Sequence, residues 1–332
     1  MKKIIKKLFS FEHSEHHIVL RILGIRIKYK RKATNDTGFS DNKSILNIYK
    51  TKFYGKKSCF LCNSKKLDFV GLNPDFKNCY IVRCKKCGFM FNVFEERNTD
   101  DYYEEEYRQA RAEHITQKYV GLQDKRALAQ FEFIRKNIDK PLKNMNILEI
   151  GCSVARLLKK FENDNNVLVG YEADVEMASR AKDDVKGTII NSMCDIGKLP
   201  NNSYDLIMLS HVFEHLDNPI MSLKLLLQAL KPNGYIFIEI PNENLETVKF
   251  MCANKKGVGH YTYFSVKNLQ ALIKKFPDAE LVKLETYTMN IDDYISKLTN
   301  REPYEFDMDK KIEDNKGIHI RCLLKKRPSK NV

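Results

Sequence analysis

The stretch Asn146-Ile-Leu-Glu-Ile-Gly-Cys-Ser-Val-Ala-Arg-Leu-Leu158 decides the fold. A run rich in Ile and Leu carries Glu149 and closes on Gly151, a turn follows, and the spacing predicts a helix over 153–162. Where a parallel strand feeds a helix, the amides of the turn and the helix N-terminus face the crevice in which nucleotides bind. Cys152 and Ser153 are small enough for a ligand to approach the backbone. Twenty-one residues beyond Gly151, at the end of the next apolar run, stands Glu172 in Val-Gly-Tyr-Glu-Ala-Asp174. A carboxylate at that place can accept both hydroxyls of a ribose. An ordinary strand-turn-helix with a surface glutamate explains either feature alone, but poorly explains both at this spacing.

Working outward, further apolar runs at 167–171, 188–190, 206–209 and 235–240 alternate with helix-like stretches at 174–183 and 219–230. Continuous apolar strands alternating with helices predict an α/β domain around a parallel sheet. Helical periodicity over 112–138 predicts a long helix leading into it, so the domain is expected to occupy 111–332.

Upstream, Cys59-Phe-Leu-Cys62 is followed after 21 intervening residues by Cys84-Lys-Lys-Cys87-Gly88. Two such pairs make two knuckles, and four thiolates complete a tetrahedral zinc shell. Cys59, Cys62, Cys84 and Cys87 are therefore the expected ligands of a structural Zn2+ in a small module over 51–110. Cys79 fits neither knuckle.

The chain carries a net charge of +14 over 332 residues, but residues 1–32 hold ten Lys or Arg against Glu12 and Glu15 and so contribute eight of those charges. The excess is a local leader with a linker to residue 50, and a basic body built to track nucleic acid is not implied. Ile4, Ile5, Leu8 and Phe9 at helical spacing opposite lysines suggest peripheral contact with an anionic membrane; a solvated charged extension is the alternative. Alternation over 25–30 predicts a strand. No apolar run approaches the roughly 18 residues of a spanning helix. The opening residues lack a signal peptide's apolar core and cleavage site, so the expected location is the cytoplasm, with the leader at the inner face of the membrane.

Three histidines fall past strand ends, where a site would form: His211 and His215 after the 206–209 strand, and His260 after the 235–240 strand. Histidine suits proton transfer because its proton affinity lies near operating pH, and Glu214-His215 offers an acid/base pair. Caps and core polar groups are the bland reading of the same residues. Ser265 is placed to cap a helix over 266–276.

At these residues the chain resembles the class I S-adenosylmethionine-dependent methyltransferases. The 146–158 stretch matches their first motif, Tyr204-Asp-Leu-Ile-Met-Leu-Ser-His-Val-Phe-Glu-His-Leu-Asp-Asn-Pro219 their fourth strand and following loop, and Leu230-Lys-Pro-Asn-Gly234 the step before strand five. The resemblance implies a Rossmann-like seven-stranded sheet, with 281–287 and 318–324 as strands six and seven. It implies S-adenosylmethionine held by Glu149, Gly151, Cys152, Ser153, Glu172, Asp195, Ile196, Ser210 and His211. Ser153 and Ala155 depart from the family's glycines, so the loop is expected to be tighter or rebuilt. A nicotinamide dinucleotide site is disfavoured, because it needs that glycine for approach to the pyrophosphate.

His260-Tyr-Thr-Tyr-Phe-Ser265 is similar to a segment of sugar methyltransferases that also carry a leading four-cysteine zinc module. That resemblance implies His260 as general base, with Glu214 and His215 as further catalytic candidates. It also implies a sugar, nucleotide-sugar or surface-glycan precursor as acceptor. Methylation of a quinone or other small metabolite is the alternative, as is a non-catalytic nucleic-acid-binding zinc protein on a degenerate scaffold.

Overall fold

The computed structural model describes residues 9–14, 17–22, 25–30, 58–76, 79–94, 117–162, 164–254 and 259–328. The chain divides into two units, 1–44 and 45–332. In the first, β1 (Phe9–Ser14), β2 (His17–Ile22) and β3 (Ile25–Lys30) form an antiparallel meander in continuous register. The strand expected over 25–30 is β3. The amphipathic turn from Ile4 to Leu8 and the linker lie outside the described residues.

In the second unit, β4 (Leu67–Leu72), β5 (Cys79–Cys84) and β6 (Met90–Phe94) precede α1 (Gln117–Asn137) and β7 (Asn146–Ile150). There follow β8 (Val167–Tyr171), α2 (Val175–Asp184), β9 (Thr188–Ile190), β10 (Tyr204–Ser210), α3 (Pro219–Ala229), β11 (Leu230–Pro241), α4 (Leu245–Ala253), β12 (Thr262–Tyr263) and α5 (Val266–Ile273). The unit closes with β13 (Ala279–Asn290), α6 (Ile291–Asn300), β14 (Asp307–Ile312) and β15 (Gly317–Lys326). The main sheet has the order β14-β13-β15-β11-β10-β7-β8-β9. Strands β11 to β9 in that order are parallel, while β15 pairs antiparallel with β11, β13 antiparallel with β15 and β14 antiparallel with β13.

All seven expected strands are present, and β14 adds an eighth at the edge. It escapes a pattern reading because Asp307-Met-Asp-Lys-Lys-Ile is mostly charged and only Met308 is buried. The chain leaves β7 toward β8 and β9, then returns to its other side for β10 and β11. That reversal opens a crevice at the carboxyl end of β7.

The central strands read as continuous apolar runs because both faces are covered. Leu148, Ile150, Ile207 and Leu209 pack with Leu223 and Leu226 of α3 and Leu269 and Leu272 of α5. Ile147, Leu206 and Met208 face the other way, toward Phe133 and Ile134 of α1 and Ala178 and Ala181 of α2. Local chemistry sets the helix starts. Asp174 caps α2 by accepting from the amides of Glu176 and Met177, Asn218 caps α3 ahead of Pro219, and Ser265 caps α5 as expected.

One expected element is different. The segment 153–162 is not an α-helix but a series of turns ending in a short 3-10 helix, Leu158–Phe161. Ser153 and Ala155 hold φ of 50° and 55°, the left-handed region that glycine enters freely and other residues enter at a cost of roughly 1 kcal/mol or more. The chain keeps a glycine-type backbone path there without the glycines.

The cysteine-bearing strands build a second sheet, β12-β6-β5-β4. Its edge strand β12 comes from beyond β11, so this sheet is stitched to the loop that carries His260. No helix among the described residues is long and apolar enough to cross a membrane.

Candidate active site

The turn after β7 is held by two carboxylates. Glu172 accepts from the Ser153 amide at 2.7 Å through one oxygen and from the Asp174 amide at 2.8 Å through the other. Glu149, buried beneath the turn, accepts from the Leu158 amide at 3.0 Å, and burial pushes its pKa up to about 8. Gly151, at φ 68°, could not be replaced without a shift, since a Cβ there would lie 2.5 Å from Val212 Cγ2. The Glu172 carboxylate thus takes the amide of the left-handed Ser153, and the Ala155 amide returns to the Cys152 carbonyl at 2.7 Å.

Above this turn lies a cavity of about 400 Å³ at the carboxyl ends of β7, β8 and β10. Of the residues expected at the cofactor, Glu149, Gly151, Cys152, Ser153, Glu172, Ile196, Ser210 and His211 line it. Asp195 does not: its carboxylate caps the turn by accepting from Gly197 N and pairs with Lys198 at 3.0 Å. Sequence reasoning assigned no role to α1, yet its face of Gln123, Arg126, Ala127 and Gln130 closes the cavity, and Gln130 donates to Ser210 Oγ at 2.7 Å. The available signal was a polar glutamine repeating at i and i+7 on a face otherwise continued by Phe133 and Ile134.

The family model of the methyltransferase domain matches residues 94–277, just over half of the chain. The chain belongs to this methyltransferase family. It is a class I S-adenosylmethionine-dependent enzyme. The ubiquinone biosynthesis O-methyltransferase of Pelagibacter ubique (strain HTCC1062) is 25% identical over 186 residues, which are 51% of this chain and 75% of that protein. Among solved structures, an S-adenosylmethionine-dependent methyltransferase from Mesorhizobium loti has a TM-score of 0.43 at 16% identity, covering 60% of this chain and 98% of that one. A putative methyltransferase of Haloferax volcanii, solved in complex with the Trm112 methyltransferase activator, has a TM-score of 0.48 at 12% identity, over 64% and 94%.

In this methyltransferase the residues present fit the cofactor. Each oxygen of the Glu172 carboxylate spends one lone pair on an amide and keeps another for a ribose hydroxyl. Ile196 and Met193 supply apolar wall, and Glu149 lines the cavity beside Glu172.

The far wall is set by the segment after β10. His215 lines the cavity, and its Nδ1 lies 2.9 Å from the Gly259 carbonyl. Behind it, His260 Nδ1 lies 3.0 Å from Glu243 Oε1, and the two imidazoles meet edge to face at 4.9 Å. Glu214 is fully buried, with Oε1 at 3.4 Å from His211 Nδ1, 3.8 Å from His260 Nε2 and 4.0 Å from His215 Nε2. Burial pushes the His215 pKa down to about 4. Burial works the same way on His260, but the Glu243 charge outweighs it and the net direction is up. The expected catalytic trio is thus brought together, though His260 does not itself line the cavity.

His211 links this cluster to a buried ion network. Its Nε2 is 3.4 Å from Glu239 Oε1, whose other oxygen accepts from Arg321 Nε at 2.5 Å, and Arg126 of α1 stands 3.5 Å away. Glu239 and Arg321 face each other in register on β11 and β15. Burial disfavours the Glu239 charge, but the Arg321 guanidinium holds its pKa well below the usual carboxylate range.

The four cysteines also converge. Cys59 and Cys87 sulfurs are 3.4 Å apart, Cys62 and Cys84 sulfurs 3.5 Å, and all four lie within 4.8 Å of one another. The knuckles share one backbone form: the Asn63 amide returns to the Cys59 carbonyl and the Gly88 amide to that of Cys84, with φ of 55° at Asn63 and 77° at Gly88. Thiolates about 2.3 Å from a tetrahedral ion are separated by ~3.8 Å, so the set fits zinc. Burial opposes ionisation of Cys84, but the amides of Cys87 and Lys86 and the Cys62 thiol outweigh it and bring its pKa to about 7. The small cysteine-bearing sheet is bonded to the segment after β11 at two places: Asn268 Nδ2 of α5 donates to the Cys87 carbonyl at 3.0 Å, and Asn92 Nδ2 of β6 donates to the His260 carbonyl at 2.8 Å.

Proposed function

We propose that the enzyme methylates an oxygen of a sugar, nucleotide-sugar or surface-glycan precursor, with a structural zinc ion in the four-cysteine site. S-adenosylmethionine supplies, when bound, a methyl group carried on a sulfonium. An alcohol must lose its proton as it attacks, and the observation that carries the reading is the wall of the cavity that can accept one. His215 faces the cavity, with Glu214 and His260 directly behind it. The Gly259 carbonyl holds His215 Nδ1 and the Glu243 carboxylate holds His260 Nδ1, so Nε2 is the nitrogen of each ring that would take a proton. Glu172, Ser153 and Gly151 would seat the cofactor on the opposite side, with Ser210 and His211 between the two halves.

The sugar assignment is supported by the pairing of a four-cysteine module with the His260-to-Ser265 segment. The likeness to a ubiquinone biosynthesis O-methyltransferase supports a second reading, a phenolic oxygen of a quinone precursor. Peripheral contact of residues 1–32 with an anionic membrane suits either acceptor, since both classes include lipid-linked molecules. Calorimetric titration with S-adenosylhomocysteine, followed by methyl-transfer assays against nucleotide-sugars and catechols, tests both. Absence of S-adenosylhomocysteine binding defeats the site assignment, and turnover of catechols alone decides for the second reading.

A further inference from the structure

The wall behind the cavity has a feature that proton transfer alone leaves unexplained. One ligand atom from each of Glu214, His215 and His260 lies within 4.8 Å of the others, and Glu214 Oε1 is 4.0 Å from His215 Nε2 and 3.8 Å from His260 Nε2. A neutral imidazole has a single N–H, and the Nδ1 atoms of both rings face acceptors, the Gly259 carbonyl and the Glu243 carboxylate. With both rings neutral, the Nε2 atoms 3.8 and 4.0 Å from Glu214 Oε1 carry lone pairs beside a carboxylate that has only lone pairs to offer. The Glu214 side chain is 1% exposed, and neither of its oxygens has a hydrogen-bond partner. Such an arrangement is costly unless positive charge sits between the groups.

The spacing distinguishes a proton from a metal ion. A proton shared between nitrogen and oxygen draws them to about 2.7–3.2 Å. The separations here are 3.8 Å from Glu214 Oε1 to His260 Nε2 and 4.0 Å to His215 Nε2. An ion held about 2.1 Å from each ligand sets them roughly 3–4 Å apart. The outer contacts match as well, since metal-bound histidines pass their other N–H to a carboxylate or backbone carbonyl, as these two do.

We infer that Glu214, His215 and His260 bind a divalent transition-metal cation, with its open positions toward the cavity on the His215 side. Two imidazoles and one carboxylate suit Mn2+, Fe2+, Co2+ or Zn2+. The use of the ion rests on the methyl-transfer reading, although its binding does not. An acceptor hydroxyl entering an open position becomes more acidic, its O–H bond breaks, the proton passes to water, and the electron pair stays on oxygen as the nucleophile.

Mn2+ is the probe, because a hard ion is poorly retained by four thiolates. Elemental analysis of the full-length protein as purified, combined with an electron-paramagnetic-resonance titration with Mn2+, should account for one ion per chain beyond that held by the cysteines. Glu214→Gln and His260→Gln should each weaken Mn2+ binding at least tenfold while leaving S-adenosylhomocysteine affinity intact. His215→Asn, on the cavity wall, serves if either buried variant does not fold. No second ion in the wild type at Mn2+ saturation overturns the inference, and so does undiminished binding in variants that still take S-adenosylhomocysteine. The two readings fail separately: a protein that binds S-adenosylhomocysteine but no Mn2+ loses only the metal site, and the converse loses only the methyl-transfer reading.

Discussion

Among the described residues the chain gathers ligand-type side chains twice, and the two clusters are assembled in opposite ways. The four cysteines come from two local turns of the same form, each closed by a residue in the left-handed region, Asn63 or Gly88. Glu214, His215 and His260 come from segments 45 residues apart, joined by the Tyr261 amide and the Thr262 hydroxyl donating to the Glu214 carbonyl. A cluster made by local turns announces itself in sequence spacing. One made by tertiary pairing needs the fold first. The clusters are also mechanically connected, because Asn92 of β6 holds the His260 carbonyl and Asn268 of α5 holds Cys87.

The largest expected effect follows from that connection. Cys84→Ser should abolish zinc binding and cost several kcal/mol of stability, since a structural ion contributes folding free energy outright. The loss should extend to the catalytic loop. Amide exchange should accelerate over residues 58–94 and also at residues 259–264, where β12 and Asn92 make their bonds. Full zinc occupancy in the variant would sink the ligand assignment, and exchange confined to 58–94 would show the two clusters to be independent.

Next in size is the effect of the buried histidine on turnover. His260→Asn keeps a polar group of similar size at the Glu243 contact but cannot present the same Nε2, so the rate should fall roughly 10²-fold or more. S-adenosylhomocysteine affinity should be unchanged, because His260 does not line the cavity. A variant that kept its rate while His215→Asn lost it would assign the chemistry to the cavity-facing ring alone.

The same contrast explains what was legible in the sequence. Glu149, Gly151 and Glu172 could be placed because a strand, a turn and a second strand fix them within one strand-turn-strand step. Gln130 and Arg126 could not, because nothing local shows that α1 folds back over the cavity. The helix expected at 153–162 failed on two residues: hydrophobic spacing continues through Leu157, Leu158 and Phe161, but Ser153 and Ala155 take left-handed conformations that periodicity does not register. Asp195 stands between the lining residues Cys194 and Ile196, and its carboxylate takes local partners, Gly197 and Lys198, that spacing along the chain does not register. Strand β14 was missed because an edge strand with one buried side chain has little apolar pattern to show.

A smaller effect separates the roles of the two carboxylates under the turn. Glu172→Ala removes the acceptor of the Ser153 and Asp174 amides together with the proposed ribose contact. S-adenosylhomocysteine binding should weaken by about 2–3 kcal/mol, the range for charge-assisted hydrogen bonds. Calorimetry on the variant measures it directly, and unchanged affinity would mean that the carboxylate serves only the turn.

Glu149 should show the smallest effect, and it appears in pH dependence rather than in binding. Its folded pKa of about 8 lies above the ordinary glutamate value because the carboxylate is buried, so between those two values the folded chain holds a proton that the unfolded chain has lost. The stability associated with that proton is fully present below the unfolded pKa and declines as pH rises through the folded one, at up to about 1.4 kcal/mol per pH unit. Glu149→Gln keeps an oxygen for the Leu158 amide and has no proton to lose. Urea unfolding of the zinc-loaded protein between pH 6 and 8 should therefore show a shallower decline in the variant than in the wild type, with the variant gaining most at pH 8. Parallel curves would mean that Glu149 is already ionised in the folded chain. The Leu158 amide would then be stabilising a buried charge, and the turn would depend on two carboxylate anions rather than on one anion and one neutral acid.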